Sequence, residues 1–190
     1  MNSIELESAY VVFEAYVQQG YYSADEREKA VETYLTECKM LEASVLNHLE
    51  NGQIVGTLMC AVDRGNLPVD NGDFVSEMIQ LRQDLGSIKL GYFGKFGTLP
   101  GRECDNVGRK LLIRAVTEWA FIYDVQAVVM MVNPKHVSCY VELGAKIVAS
   151  VGSTPGLEKA PAVLLVLKFS DSRQITRVRN FYLSDRLHCN

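Results

Sequence analysis

The sequence predicts an α+β fold built on a mixed central β-sheet, and three observations carry that reading. Apolar residues recur at helical spacing in some segments and alternate or run unbroken in others, giving the order α-α-β-β-α-β-α-β-α-β-β. Asn51-Gly52 separates two alternating apolar–polar stretches, a hairpin signal because both residues tolerate positive φ. A length of 190 residues, 48% of them hydrophobic, suits one domain with a sizeable core. No repeat, linker or low-complexity segment divides residues 1–190, and 170–190 reads as a C-terminal tail.

The elements follow in order. Ile4, Ala9, Val12, Phe13, Tyr16 and Val17 define an amphipathic helix that stops at Gly20. Ser23 and Asp25 offer N-caps for a second, short helix through about Leu35. Residues 43–63 form the hairpin about Asn51-Gly52, and 73–85 a helix closed by Gly86. Residues 87–98 are a strand interrupted by Gly91, Gly94 and Gly97. Glycine weakens a strand interior, so three suggest a bulge or the close approach of a ligand, with an irregular edge strand as the alternative. After a polar loop, 106–123 is the clearest helix, with Val107, Leu111, Leu112, Ala115, Trp119 and Ile122 on one face. The unbroken apolar run 125–132 reads as a buried strand. Asn133-Pro134 then pairs an N-cap residue with proline at the first helical position, and that helix stops at Gly144. Residues 145–151 and 161–169 are the last two strands, joined by a Ser-Thr-Pro-Gly loop. In the tail, Ile175, Val178, Phe181 and Tyr182 lie near helical spacing among arginines; a solvated end is the plain reading.

The formal net charge of −4 hides an asymmetry: residues 1–95 carry 7 basic against 15 acidic side chains, and residues 96–190 carry 12 against 8. An acidic chain is a poor match for nucleic acid, whose phosphates require a basic field, although the basic half can face an acidic partner. Five cysteines (38, 60, 104, 139 and 189) show no CxxC spacing, which argues against a zinc site or disulfide framework and for a reducing compartment. The first residues lack a basic stretch followed by an apolar run, and no segment approaches the roughly 20 apolar residues of a membrane span. A cytoplasmic protein is expected, without metal or bound cofactor.

Chemistry has two candidate places. A loop feeding the helix at 106–123 exposes unpaired N–H groups and the positive end of the helix dipole, which suits a phosphate. Gly101, Arg102, Asn106, Gly108 and Arg109 sit there, although Arg102, Arg109, Lys110 and Arg114 also fit a solvated helix face. The second place is Asn133 to Tyr140, directly after the buried strand, where a side chain can reach a crevice at the strand's carboxyl end. Either Tyr140 or His136 can reach it, and Tyr140 can donate a proton to a leaving thiolate; core packing of Tyr140 and a capping or surface position for His136 are the alternatives.

The strand, Arg/Gly loop and helix at 92–123, followed by Tyr140-x-x-x-Gly144, resemble the GNAT acyltransferase superfamily. Val132-Asn133-Pro134-Lys135-His136-Val137 and Ala160-Pro161-Ala162-Val163 look like the long-chain N-acyl amino acid synthases. Gly65 to Asp70, Glu77, Leu81-Arg82 and the aromatic spacing of Tyr10 to Gly20 agree with that family. The resemblance implies a GNAT-like sheet flanked by helices. It implies transfer of a long acyl chain from an acyl-carrier-protein thioester to the α-amine of an amino acid, typically tyrosine. The donor would be acyl-phosphopantetheine, a substrate rather than a cofactor. Acyl-homoserine-lactone-type synthesis, or a non-catalytic module binding an acyl chain or carrier protein, stand as alternatives.

By position, the resemblance places Phe96, Gly97 and Thr98 along the pantetheine and the loop through Arg102, Asn106, Gly108 and Arg109 at its phosphate. It makes Tyr140 the proton donor. Three departures stand out: Tyr92 occupies the place of the family's common glutamate, Asn106 that of a loop glycine, and Ala145 that of the usual phenylalanine after Gly144. A water chain or His136 would then replace the missing base. The altered loop favours a carrier protein, with its single phosphate, over coenzyme A.

Overall fold

A computed structural model describes residues 3–102, 106–150, 152–154 and 157–171. Its elements are α1 (Ser3–Gln18), α2 (Arg27–Met40), β1 (Ser44–Glu50), β2 (Gln53–Val62), α3 (Val75–Leu85), β3 (Leu90–Thr98) and α4 (Val107–Ile122). There follow β4 (Ala127–Val132), α5 (Val137–Glu142), β5 (Lys146–Ala149), β6 (Ser153–Thr154), β7 (Leu157–Pro161) and β8 (Val163–Lys168). The expected order is present, and Asn51 and Gly52 both take positive φ, 51° and 81°, at the β1–β2 turn. Among the described residues no helix is long and apolar enough to cross a membrane. Cys104, Cys189 and the tail residues Ile175, Val178, Phe181 and Tyr182 lie outside them.

Two boundaries and one buried position differ from expectation. Helix α2 runs past Leu35 to Met40 because Ala30, Val31, Tyr34 and Cys38 form one buried stripe. Its stop is Glu42 at φ 47°, not a glycine, so no residue type announced it. The loop expected before the last strand holds the β6–β7 hairpin, and Pro161 ends β7 rather than opening β8. Ile122, expected on the buried face of α4, is 67% exposed; the last turn packs instead through Tyr123, whose ring lies 4.6 Å from Trp119.

Six strands form one sheet in the order β1-β2-β3-β4-β8-β5, and β3–β4 is its parallel pair. The central strands are buried on both faces. Ala127, Val129, Leu164 and Val166 join the core beneath α1, α2 and α3, while Val128, Met130, Leu165 and Leu167 join the core beneath α4 and α5. Helix α1 crosses β3 so closely that a Cβ on Gly97 would stand 3.0 Å from the Val12 Cα.

Two irregularities open this sheet at its middle. Strands β3 and β4 pair only from Leu90↔Ala127 to Phe93↔Met130; beyond that point β3 continues along β2 to Thr98, and β4 stays with β8. The β2–β3 register meanwhile skips from Met59↔Gly94 to Thr57↔Gly97, a bulge that takes Lys95 and Phe96 out of the ladder. Lys95 adopts φ 47° there.

Candidate active site

A cleft occupies the opening between the parallel strands. Gly94 and Lys95 of β3 form one side, Met131 and Asn133 the other, and Tyr16, Tyr21, Tyr92, Pro68 and Pro161 close around it. Crevices at the carboxyl ends of adjacent parallel strands are the usual ligand sites of sheets with helices on both faces, because diverging chains leave backbone there unpaired.

The bulge decides which side chains enter. Tyr92 belongs to the core beneath α1, whereas Phe93 and Phe96 face α4. Strict alternation would send Lys95 toward α4 as well, but the extra residue returns it to the cleft beside Gly94. Gly94 has no room for a side chain, since a Cβ would fall inside the Tyr92 phenol. Tyr92 is 2% exposed, and its burial, with Glu37 and Tyr16 nearby, pushes its pKa well above the ordinary value. It is therefore a neutral phenol at physiological pH.

Aromatic rings from the end of α1 roof the cleft. Tyr16 meets Tyr21 edge-on at 5.5 Å and stacks on Tyr22 at 6.2 Å. The Asn133 amide donates to the Tyr21 hydroxyl, and the Lys135 ammonium to Gln19 Oε1, tying the α1–α2 connection to the segment after β4. Asn133 also accepts from the Lys135 N–H through its side-chain oxygen at 3.0 Å, which starts the turn leading into α5. Burial, then Glu37, raises the Tyr16 pKa; the Tyr140 phenol adds a smaller push.

A second clamp fixes the wall carrying Pro68. Arg82 on α3 holds Asp63 through Nε and Nη2 at 2.7 and 2.8 Å, and Asp70 through Nη1 and Nη2 at 2.7 and 2.9 Å. The carboxylates in turn accept from the Gly65 and Leu67 N–H groups. The Gly65–Asp70 element and Arg82 thus build one rigid loop.

On the α4 side stand most of the expected donor-binding residues. The Phe96 ring fills the place of a side chain on Gly108: a Cβ there would stand 2.6 Å from its Cζ. Leu99 N–H donates to Val55 O at 2.9 Å, ending the strand. Arg102 pairs with Glu50 at 3.1 Å, so it is anchored to the β1–β2 hairpin. Asn106, at φ 56°, precedes α4 without a side-chain cap, and this left-handed backbone is one asparagine tolerates better than most residues. Arg109 and Lys110 are exposed in the first turn of α4. Arg114 is engaged, by Glu118 at 2.7 Å and the Asn47 carbonyl at 3.2 Å.

Tyr140 packs against the α4-side core, and its buried phenol is pushed up to about 12. It does not line the cleft, although Tyr16 senses it. His136 is exposed, outside the cleft lining, and partial burial with Lys135 lowers its pKa. Tyr92 and the bulge thus meet at the cleft, Phe96 and Gly108 meet on its far side, and His136 joins neither group. Sequence reasoning missed Tyr16, Tyr21, Lys95 and Glu37 as site residues. The aromatic spacing before Gly20 signalled the tyrosines; nothing in the sequence signalled Glu37, brought in from α2.

The chain matches the family model for the N-acyl amino acid synthase FeeM over residues 8–168. A search of curated protein sequences returns no match. Among solved structures, FeeM, an N-acyl amino acid synthase from uncultured soil microbes, superposes with a TM-score of 0.72 at 21% identity, covering 88% of this chain and 92% of its own. PaiA N-acetyltransferase from Thermoplasma acidophilum, solved with coenzyme A, gives 0.58 at 14% identity, covering 88% and 95%. A GNAT-family acetyltransferase from Staphylococcus aureus gives 0.55 at 11%, covering 88% and 94%. These likenesses show the GNAT fold, and the family match, spanning most of the sequence, goes further: the chain belongs to the FeeM family of N-acyl amino acid synthases and is an acyltransferase.

Proposed function

We propose that this synthase takes a long acyl chain from an acyl carrier protein and transfers it to the α-amine of an amino acid, tyrosine foremost. The observation that carries the reading is the opening between β3 and β4 beside the β3 bulge, together with the start of α4, which has no side-chain cap from Asn106 and stands on the far side of β3. Phosphopantetheine enters past Phe96, Gly97 and Thr98, its phosphate at the start of α4 near Arg109, where backbone N–H groups and the helix dipole favour an anion. The left-handed Asn106 turns the chain into α4, and Gly108 gives the Phe96 ring its place beside the phosphate. Arg102 holds the loop through Glu50.

The reaction needs an amine without its extra proton, a stabilised oxyanion and a proton for the leaving sulfur. The amine lone pair attacks the thioester carbonyl. N–H groups of the bulge hold the oxygen as it gains charge. The tetrahedral intermediate then collapses, forming the amide as the C–S bond breaks and the sulfur takes a proton. Tyr140, kept protonated at neutral pH because burial raises its pKa, supplies that proton through a bridging water, since its phenol stands behind the cleft wall rather than in it. The neutral Tyr92 phenol orients the reacting groups rather than acting as base. A water chain removes the proton from the amine, and His136, kept neutral at pH 7 by partial burial and Lys135, receives it at the surface.

The acidic carrier protein finds its complement in the exposed Arg109 and Lys110, at the head of the basic half of the sequence. Thiol release from purified long-chain acyl carrier protein, with and without tyrosine, tests the proposal. Amino-acid-dependent release, faster than from the matching acyl-coenzyme A, is expected. Release from acyl-coenzyme A alone would overturn the carrier-protein assignment.

A further inference from the structure

Resting on that reading, we propose that Lys95 is the docking point for the acceptor's α-carboxylate, held in place by Glu37. The Lys95 side chain is 8% exposed, and among the described residues lining the cleft it is the one with a formal charge. It reaches the cleft only because the β3 bulge reverses its direction, and it keeps a left-handed backbone, φ 47°, that is strained for a lysine. Strain of this kind persists where surrounding contacts over-determine it. The contact doing so is Glu37 on α2, whose Oε1 lies 3.1 Å from Lys95 Nζ.

That pair is incomplete. Glu37 Oε2 is buried and has no hydrogen-bond partner among the described residues. An ammonium has three N–H donors, and Glu37 uses one of them; the cleft offers no carboxylate for the rest. An α-amino acid brings a carboxylate that accepts from the remaining Lys95 N–H donors, and an amine that can donate toward Glu37 Oε2. Its carboxylate on Lys95 leaves the amine one carbon away, in the opening beside the bulge where the thioester carbonyl sits. Tyr16, Tyr21 and Tyr92 then surround the acceptor's side chain. The device selects amino acids over simple amines and fixes the nucleophile's approach. Glu37 acts through Lys95 and is a positioning residue.

The experiment compares tyrosine with tyramine, which has the same side chain and amine but no carboxylate, at saturating acyl carrier protein. The wild type is expected to prefer tyrosine by about 10- to 100-fold in kcat/KM, the range of a charge-assisted hydrogen bond. In Lys95→Met the preference is expected to fall to near 1, and Lys95→Arg to keep part of it. Because Lys95→Met strands Glu37, the double variant Lys95→Met/Glu37→Gln is measured beside it and must show the same loss of preference. Calorimetric tyrosine binding without donor separates the two levels: loss of binding in both variants supports the docking role even where no turnover occurs, and absent turnover in the wild type counts against the transfer reaction alone. An equal loss for tyrosine and tyramine, or tyrosine binding unchanged by the variants, would overturn the inference.

Discussion

The Phe96 ring on β3 occupies the space where Gly108 on α4 would carry a side chain, 2.6 Å from ring Cζ to an ideal Cβ. The contact joins the bulged strand to the first turn of the helix that follows it, across the proposed donor passage. Half-buried, Phe96 has somewhere to swing. Gly108→Ala is therefore expected to leave stability within about 1 kcal/mol, the helix gain from alanine offsetting the displaced ring. The donor KM should rise severalfold while the acceptor KM stays. Denaturation midpoints and steady-state kinetics check both halves.

Gly94→Ala is expected to behave differently. The Tyr92 phenol it meets is almost fully buried and cannot swing into solvent. Overpacking there should cost about 1–3 kcal/mol and distort the cleft itself. Urea unfolding should show the loss, and kcat should fall along with stability.

The Arg82 clamp has a clear ledger. Its carboxylate partners are 9% and 15% exposed, so Arg82→Gln leaves two nearly buried negative charges together. The expected cost is about 3 kcal/mol, the scale for breaking a buried pair. Adding Asp63→Asn should recover part of that loss. A full cost unchanged by the second substitution would show that the carboxylates do not depend on Arg82.

Alkaline pH should destabilise the fold through its tyrosines. Tyr16, Tyr34, Tyr92 and Tyr140 all have raised folded-state pKa values, burial being the first cause in each. A raised folded pKa means that the folded state keeps its proton longer. Stability is thus full below the ordinary value of 10 and falls above it, continuing to about 12 for Tyr140. Each such group contributes a slope of up to about 1.4 kcal/mol per pH unit. Tyrosinate absorbance should rise together with unfolding for these four residues. A smooth titration of every tyrosine near pH 10 in the folded protein would contradict it.

Charge reversal at the start of α4 should separate docking from folding. Arg109→Glu with Lys110→Glu is expected to raise the acyl-carrier-protein KM by about 10-fold at low salt and to flatten its salt dependence. Arg114→Glu should instead cost stability, because Arg114 already serves Glu118 and Asn47. Equal loss for carrier protein and amino acid in the double variant would remove the docking role.

Much of the fold was legible because its signals are local. Asn51-Gly52 set the hairpin, the apolar run before Asn133-Pro134 set β4, and Gly86 and Gly144 marked helix stops. The end of α2 was illegible because Glu42 performs a glycine's task, and the β6–β7 hairpin because its strands are too short for periodicity. For the site, Gly94, Tyr92 and Phe96 could be found since glycines in a strand announce an irregularity. Lys95 could not: its entry into the cleft depends on a one-residue register shift, and its partner Glu37 comes from a helix 58 positions earlier in the chain.

Mass spectrometry of the product made from long-chain acyl carrier protein and nitrogen-15 tyrosine tests the central claim most directly. The expected result is an N-acyl tyrosine that carries the label in its amide and the donor's full acyl chain. Free fatty acid with no labelled amide, from tyrosine or from any other amino acid offered, would contradict it.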